Sequence, residues 1–126
     1  MASPSDRVYS ETHEWHQQEG EVVTIGLTRF AVDALTDVTY VQMKGSGTRI
    51  GAGESVGEVE SVKTTSDVYS AVAGEVAEVN PALSDNPALV NTDPYGAGWL
   101  VRVRATDAGG LGKLMDAAAY DAAHPS

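Results

Sequence analysis

The sequence predicts a mostly β fold, an antiparallel β domain with short helices and a C-terminal helix attached. Three observations carry this. Thirteen glycines are scattered along 126 residues, which suits short strands joined by tight turns. Val22 to Leu27 is β-branched and apolar, and Trp99 to Arg104 alternates apolar and basic residues as a half-buried strand does. Gly57-Glu58-Val59-Glu60-Ser61-Val62 and Gly74-Glu75-Val76-Ala77-Glu78-Val79 echo each other seventeen residues apart, which suggests two quasi-symmetric halves of one small β structure. The plainer alternative is that Gly-Glu-Val recurs wherever a turn feeds an alternating strand.

Along the chain, residues 1–7 are polar and read as a flexible tail. The turn-like Glu19-Gly20 precedes the Val22 strand. Phe30, Ala31, Ala34 and Leu35 lie at helical spacing and predict a short helix over Arg29 to Leu35. Thr39 to Met43 returns to strand chemistry. Lys44 to Gly53 holds four glycines in ten residues and reads as a loop. Val68 to Ala71 lies between the two Gly-Glu-Val strands. Pro81 to Leu83 and Asn86 to Asn91 carry turn and cap residues, so a helical turn or two is expected there. Asp93 to Gly98 reads as a loop. In the C-terminal segment, 106–126, Leu114, Met115, Ala118, Ala119 and Ala122 recur at three- and four-residue spacing, which predicts an amphipathic helix that Asp116 could cap.

Composition narrows the function. Hydrophobic residues make up 42% and charged residues 21%, as in an ordered globular chain. Eight Lys and Arg against eighteen Asp and Glu give a formal charge of −10, a surface that a phosphate backbone repels, so no nucleic-acid partner is expected. No stretch reaches the length of a membrane span and the N-terminus is no secretory signal, so the expectation is a cytoplasmic protein, monomeric, with no membrane partner. There is no cysteine, which removes thiol nucleophiles, disulfides and Cys-ligated zinc.

Catalytic signatures are missing too. The chain has no GxGxxG and no GxxxxGK[ST]. His13 and His16 would point to opposite faces of a strand, so they are not expected to share a metal; they read as partly exposed residues flanking a buried Trp15. His124 lies near a frayed end. No metal site and no catalytic residue is expected. One residue stands apart. Lys63 is one of only three lysines, and it lies between the halves of the Gly-Glu-Val echo. At the tip of a strand–turn–strand unit it would project clear of the body on a rigid base, as an attachment point for a tethered cofactor requires. The alternative is an ordinary solvated lysine in a turn.

Longer stretches shift the balance between the two. Tyr9 to Trp15 (YSETHEW), Val23 to Phe30 (VTIGLTRF), Gly57 to Asp67 (GEVESVKTTSD), Val68 to Asn80 (VYSAVAGEVAEVN) and Leu83 to Leu100 (LSDNPALVNTDPYGAGWL) run in order over nearly the whole chain. In these the sequence strongly resembles the H-protein family of the glycine cleavage system, the lipoyl carriers of that complex. It departs from the family in the glycine-rich loop Lys44 to Gly53 and in an alanine-rich C-terminus.

The resemblance implies a hybrid barrel-sandwich, the lipoyl/biotinyl-carrier type, as a single domain over residues 1–126. It implies lipoic acid attached covalently to Lys63 by lipoate-attaching enzymes. It implies three partners: a glycine decarboxylase (P protein) that loads an aminomethyl group, an aminomethyltransferase (T protein) that unloads it, and dihydrolipoamide dehydrogenase (L protein), which reoxidises the arm. The chain itself would be a carrier and no enzyme. Glu60 and Asp67, which bracket Lys63, are candidates for the surface an attaching enzyme reads. Glu14 is a candidate for docking the loaded arm, since a carboxylate there could bond a charged amine; the alternative is a plain surface carboxylate. Trp15 is expected in the core, and Asp93 to Gly96 as a turn with a packed tyrosine.

Two other readings stand beside this one. A biotin carrier is disfavoured because Val62 and Thr64 flank the lysine where biotin sites usually show methionine. An interaction or lipoyl-relay module would keep the fold without the carrier cycle. If Lys63 is lipoylated, a chain that encodes no cysteine would perform dithiol chemistry with sulfur it does not itself contain.

Overall fold

The computed structural model describes residues 3–107 and 109–124. Among the described residues nine strands form two antiparallel sheets. The larger has the order β1 (Val8–Tyr9), β2 (Glu14–Glu19), β3 (Val22–Leu27), β9 (Val101–Asp107), β8 (Ala73–Val79) and β5 (Arg49–Ile50). The smaller has the order β4 (Val38–Met43), β6 (Ser55–Ser61) and β7 (Thr65–Tyr69). The mostly β expectation holds.

The sheets face each other across one apolar layer. Val23 and Ile25 from β3, Val76 from β8, Val101 and Val103 from β9, and Val56, Val59 and Val68 from the smaller sheet are all fully buried in it. Alternation makes this possible: in β6, Val59 turns inward while Glu58 and Glu60 stay exposed. The Gly-Glu-Val echo falls one copy in each sheet, and each copy does the same work. Its valine (Val59, Val76) enters the core. Its glycine sits at a register shift, where a Cβ would lie 2.5 Å from the Gln42 carbonyl oxygen (Gly57) or 2.2 Å from that of Arg104 (Gly74).

Short helices close the ends. In α1 (Arg29–Leu35), Thr28 is the N-cap and its hydroxyl accepts the Ala31 amide. Two one-turn helices, α2 (Ala82–Asp85) and α3 (Leu89–Thr92), follow β8 and bury Leu83 and Val90 in the core. The last, α4 (Ala117–Ala123), is capped by Asp116 as the sequence predicts, with Oδ1 accepting the Ala119 amide at 2.8 Å. Tyr120 of α4 stacks on Tyr9, their ring centroids 5.0 Å apart, beside Trp15 in a second apolar cluster.

Several boundaries differ from the sequence reading. The last strand starts at Val101 and runs through Asp107, two residues into the segment read as helical, and a 3-10 turn (Gly109–Lys113) precedes α4. The glycine loop holds β5, which pairs with β8 through Arg49 and Ile50. His124 packs at 4.6 Å from His13 and 4.8 Å from Tyr120, ring centre to ring centre, where the sequence suggested a frayed end. Within the segment read as a tail, Ser3 bonds Asp121 and Arg7 stacks over Trp15 and donates to the Tyr95 carbonyl. Residues 1, 2, 108, 125 and 126 lie outside the described residues.

Candidate functional site

Strands β6 and β7 pair as a hairpin whose tip is Ser61-Val62-Lys63-Thr64. Serine is what makes this turn tight. The Ser61 hydroxyl accepts the amides of Lys63 (3.2 Å) and Thr64 (3.1 Å), and donates to the Thr64 carbonyl (3.0 Å). The Ser61 amide donates to the same carbonyl at 2.8 Å. Lys63 is exposed at the apex and has no salt-bridge partner among the described residues. Its neighbour Val62 is 70% exposed, an apolar side chain standing in water beside the amine.

The carboxylates singled out from sequence divide into two groups. Glu60 and Asp67 both lie exposed on the outward face of the hairpin, Glu60 opposite Thr65 and Asp67 opposite Glu58. Glu58, not singled out in the sequence reading, therefore makes a like-charge cross-strand pair that opposes folding slightly. The result is an acidic apron below the lysine. The signal for it was the alternation of Glu58 and Glu60 about Val59.

Glu14 is elsewhere and is no surface carboxylate; it is fully buried on β2. Its Oε1 accepts the hydroxyls of Ser10 (2.6 Å) and Thr12, and its Oε2 accepts the Tyr69 amide at 3.3 Å. Burial raises its carboxyl above the usual range, and the bonds from Ser10, Thr12 and Tyr69 oppose that rise. The carboxylate forms part of the wall of a cavity of about 340 Å3, together with Ser10, Thr12, Gly53, Tyr69, Ser70 and Ala71. Strand β7 runs from the lysine tip to this cavity, and the Tyr69 hydroxyl bonds Asp67 on the way at 3.4 Å. Such a pocket, mostly apolar with one carboxylate, suits a short carbon chain ending in a cation.

His16 was read as partly exposed and is instead 1% exposed, because β2 is covered on both faces over Glu14–His16. Its Nε2 accepts the Ala71 amide at 3.1 Å, which assigns the proton to Nδ1. Nδ1 has no hydrogen-bond partner among the described residues, an orphan worth about 1–3 kcal/mol. Burial lowers the imidazole to about 4, and the nearby Glu14 carbonyl only partly offsets that. Glu14 and His16 thus grip the far end of β7 and the turn after it, at Tyr69 and Ala71. No periodicity in the sequence marks this, because both grips fall on backbone amides. His13 and His16 do not converge: His13 Nδ1 meets the Tyr120 hydroxyl at 2.8 Å. Among the described residues no three metal-binding side chains cluster, and no helix is long and apolar enough to cross a membrane.

Trp15 is buried as expected, its indole donating to the Pro94 carbonyl at 2.9 Å. Asp93 Oδ2 closes the following turn by accepting the Ala97 amide, and the Tyr95 hydroxyl accepts the Arg29 amide.

Comparison with known proteins agrees with this geometry. The family model described as Glycine cleavage H-protein matches residues 7–125. A glycine cleavage system H protein of Thermus thermophilus is 52% identical over 120 residues, covering 95% of this chain and 94% of that protein. One from Corynebacterium jeikeium is 50% identical over 127 residues, covering 98% of each. The crystal structure of a glycine cleavage system H protein from Mycobacterium marinum superposes with a TM-score of 0.90 at 42% identity, over 98% of this chain and 100% of that one.

Proposed function

The chain belongs to the glycine cleavage H-protein family, and from that premise we propose that it is the lipoyl-bearing carrier of a glycine cleavage system, with the arm on Lys63. The observation that carries the site is the exposed Lys63, unpaired among the described residues, at the apex of a serine-locked hairpin. An attaching enzyme needs that amine free and still. On attachment the amine gives up a proton, its lone pair forms an amide bond to the lipoyl carbonyl, and the activating group leaves with its bonding pair. The bound lipoyl group supplies a disulfide that takes the aminomethyl group at a glycine decarboxylase, releases it at an aminomethyltransferase, and is restored by dihydrolipoamide dehydrogenase. On this reading the carrier works in the cytoplasm with those enzymes, as one lipoyl-carrier domain without catalysis of its own.

The chain's residues then have distinct tasks. Ser61 fixes the turn, and Glu60 and Asp67 form the acidic surface an attaching enzyme reads. In the cavity, Glu14 receives the cationic amine of the loaded arm, a charge-assisted bond in a place water leaves. Intact-mass analysis of chain produced with lipoate-attaching enzymes tests the attachment. One lipoyl adduct is expected, absent from Lys63→Arg; an adduct on that variant overturns the assignment. Glycine–bicarbonate exchange with a decarboxylase then separates a carrier from a relay module, which would support none.

A further inference from the structure

The stretch Leu89-Val90-Asn91 belongs to α3, a one-turn helix with no part in the lysine hairpin or the cavity. Yet the Asn91 side chain satisfies nothing in its own helix. Its Oδ1 accepts the Val38 amide at 2.8 Å and its Nδ2 donates to the Thr36 carbonyl at 2.5 Å. Its own carbonyl is held by Arg29 Nη1 at 2.7 Å. The two gripped groups flank Asp37, and the Asp37 carbonyl accepts the Val62 amide at 3.1 Å. Among the described residues this is the one hydrogen bond from residues 62–64 to a group outside the hairpin.

The backbone between carries strain. Thr36 has φ 64 and ψ −132, a conformation a β-branched residue adopts only when its surroundings impose it. Asn91 supplies that imposition from both sides of Asp37. Released, the 36–38 segment would relax, and the Asp37 carbonyl would no longer face Val62.

We infer that Asn91 is a positioning residue for Lys63: through the Asp37 peptide it braces the hairpin apex so that the amine is presented in one arrangement. This rests on the reading of Lys63 as the attachment residue. The enzymes that read the apex then meet a tip that needs no ordering when they bind. If the unbraced tip visits the competent arrangement about a tenth of the time, the apparent affinity falls about tenfold. The loss would appear in KM, with kcat preserved, because the chemistry at the amine is unchanged once bound.

The test uses the full, unlipoylated chain as substrate for a lipoate-attaching enzyme, with intact mass as the readout, beside amide hydrogen exchange at Val62 by NMR. Asn91→Ala should raise KM about tenfold with kcat kept, and speed exchange at Val62. Asn91→Asp keeps the acceptor for Val38 but sets a carboxylate oxygen against the Thr36 carbonyl, and should do at least as badly. A folded Asn91→Ala chain with unchanged KM and unchanged Val62 exchange overturns the inference. So does a Val62 amide that exchanges in the unsubstituted protein as fast as in an open turn, a result independent of whether any variant folds. Lys63→Arg separates the two levels. If it is modified like the parent, the attachment reading itself fails; if it is inert while Asn91→Ala reacts normally, only the brace is refuted.

Discussion

His16→Gln should flatten the acid side of the stability curve. In the folded chain His16 is buried and pushed down to about 4, against an ordinary 6.5 in the unfolded chain. Between those values the unfolded chain binds the extra proton and the folded chain does not, so stability rises with pH across the window. Above about 6.5 there is no penalty; as pH falls the penalty grows, and below about 4 it is complete at about 3 kcal/mol. At pH 5 it amounts to about 2 kcal/mol. Protonation also ends the bond from Ala71, because a charged imidazole has no acceptor left. Glutamine fills similar space and can accept the Ala71 amide, but it does not titrate. Glu14 works the other way: its carboxyl is raised by burial, so its contribution is present at low pH and is lost as pH rises through the folded value. Comparing parent and variant at each pH cancels that term. Urea unfolding followed by tryptophan fluorescence at pH 7 and pH 5 should show the parent losing about 2 kcal/mol more than His16→Gln, a midpoint difference of roughly 1 M. Equal losses, or an NMR titration of His16 centred near its ordinary value, would refute the reasoning.

Two further outcomes follow from the same structure. Gly57→Ala and Gly74→Ala should each cost about 2–3 kcal/mol by urea titration, since the new Cβ meets neighbouring backbone that cannot swing aside; wild-type stability in either would show that the register shifts do not need glycine. Glu14→Gln should leave neutral-pH stability unchanged or raise it, because a buried carboxylate loses its charge. It should weaken docking of the aminomethyl-loaded arm about tenfold, read from the Tyr69 amide shift on loading. Undiminished docking would remove Glu14 from the proposed cavity role.

Much of this was legible before any coordinates. The alternation in Ser55–Ser61 and Ala73–Val79, the capping residue Asp116, and the lone lysine between two Gly-Glu-Val units act through near neighbours, so their meaning is local. The chain-long match in order of its motifs did the rest for the family. The readings that changed, or that the sequence did not contain, share a different cause. Glu14 looked like a possible surface acid because nothing nearby says that β7 will cover it. His16 looked half exposed because period-two alternation assumes one wet face, and β2 has none over Glu14–His16. Asn91 carried no chemical label at all, since its partners are two peptide groups more than fifty residues away in sequence.

By itself, then, the sequence determined the strand and helix chemistry, the lysine proposed as the attachment point and the family to which the chain belongs. Those are matters of residue type and short spacing. Only the tertiary structure decided that Glu14 is buried at a cavity, that His16 is neutral under it, and that the lysine apex is braced from α3 through a strained threonine. Burial and backbone hydrogen bonding depend on which distant segments meet. An amide donor carries no residue identity, so a side chain whose work is to hold one cannot announce its partner.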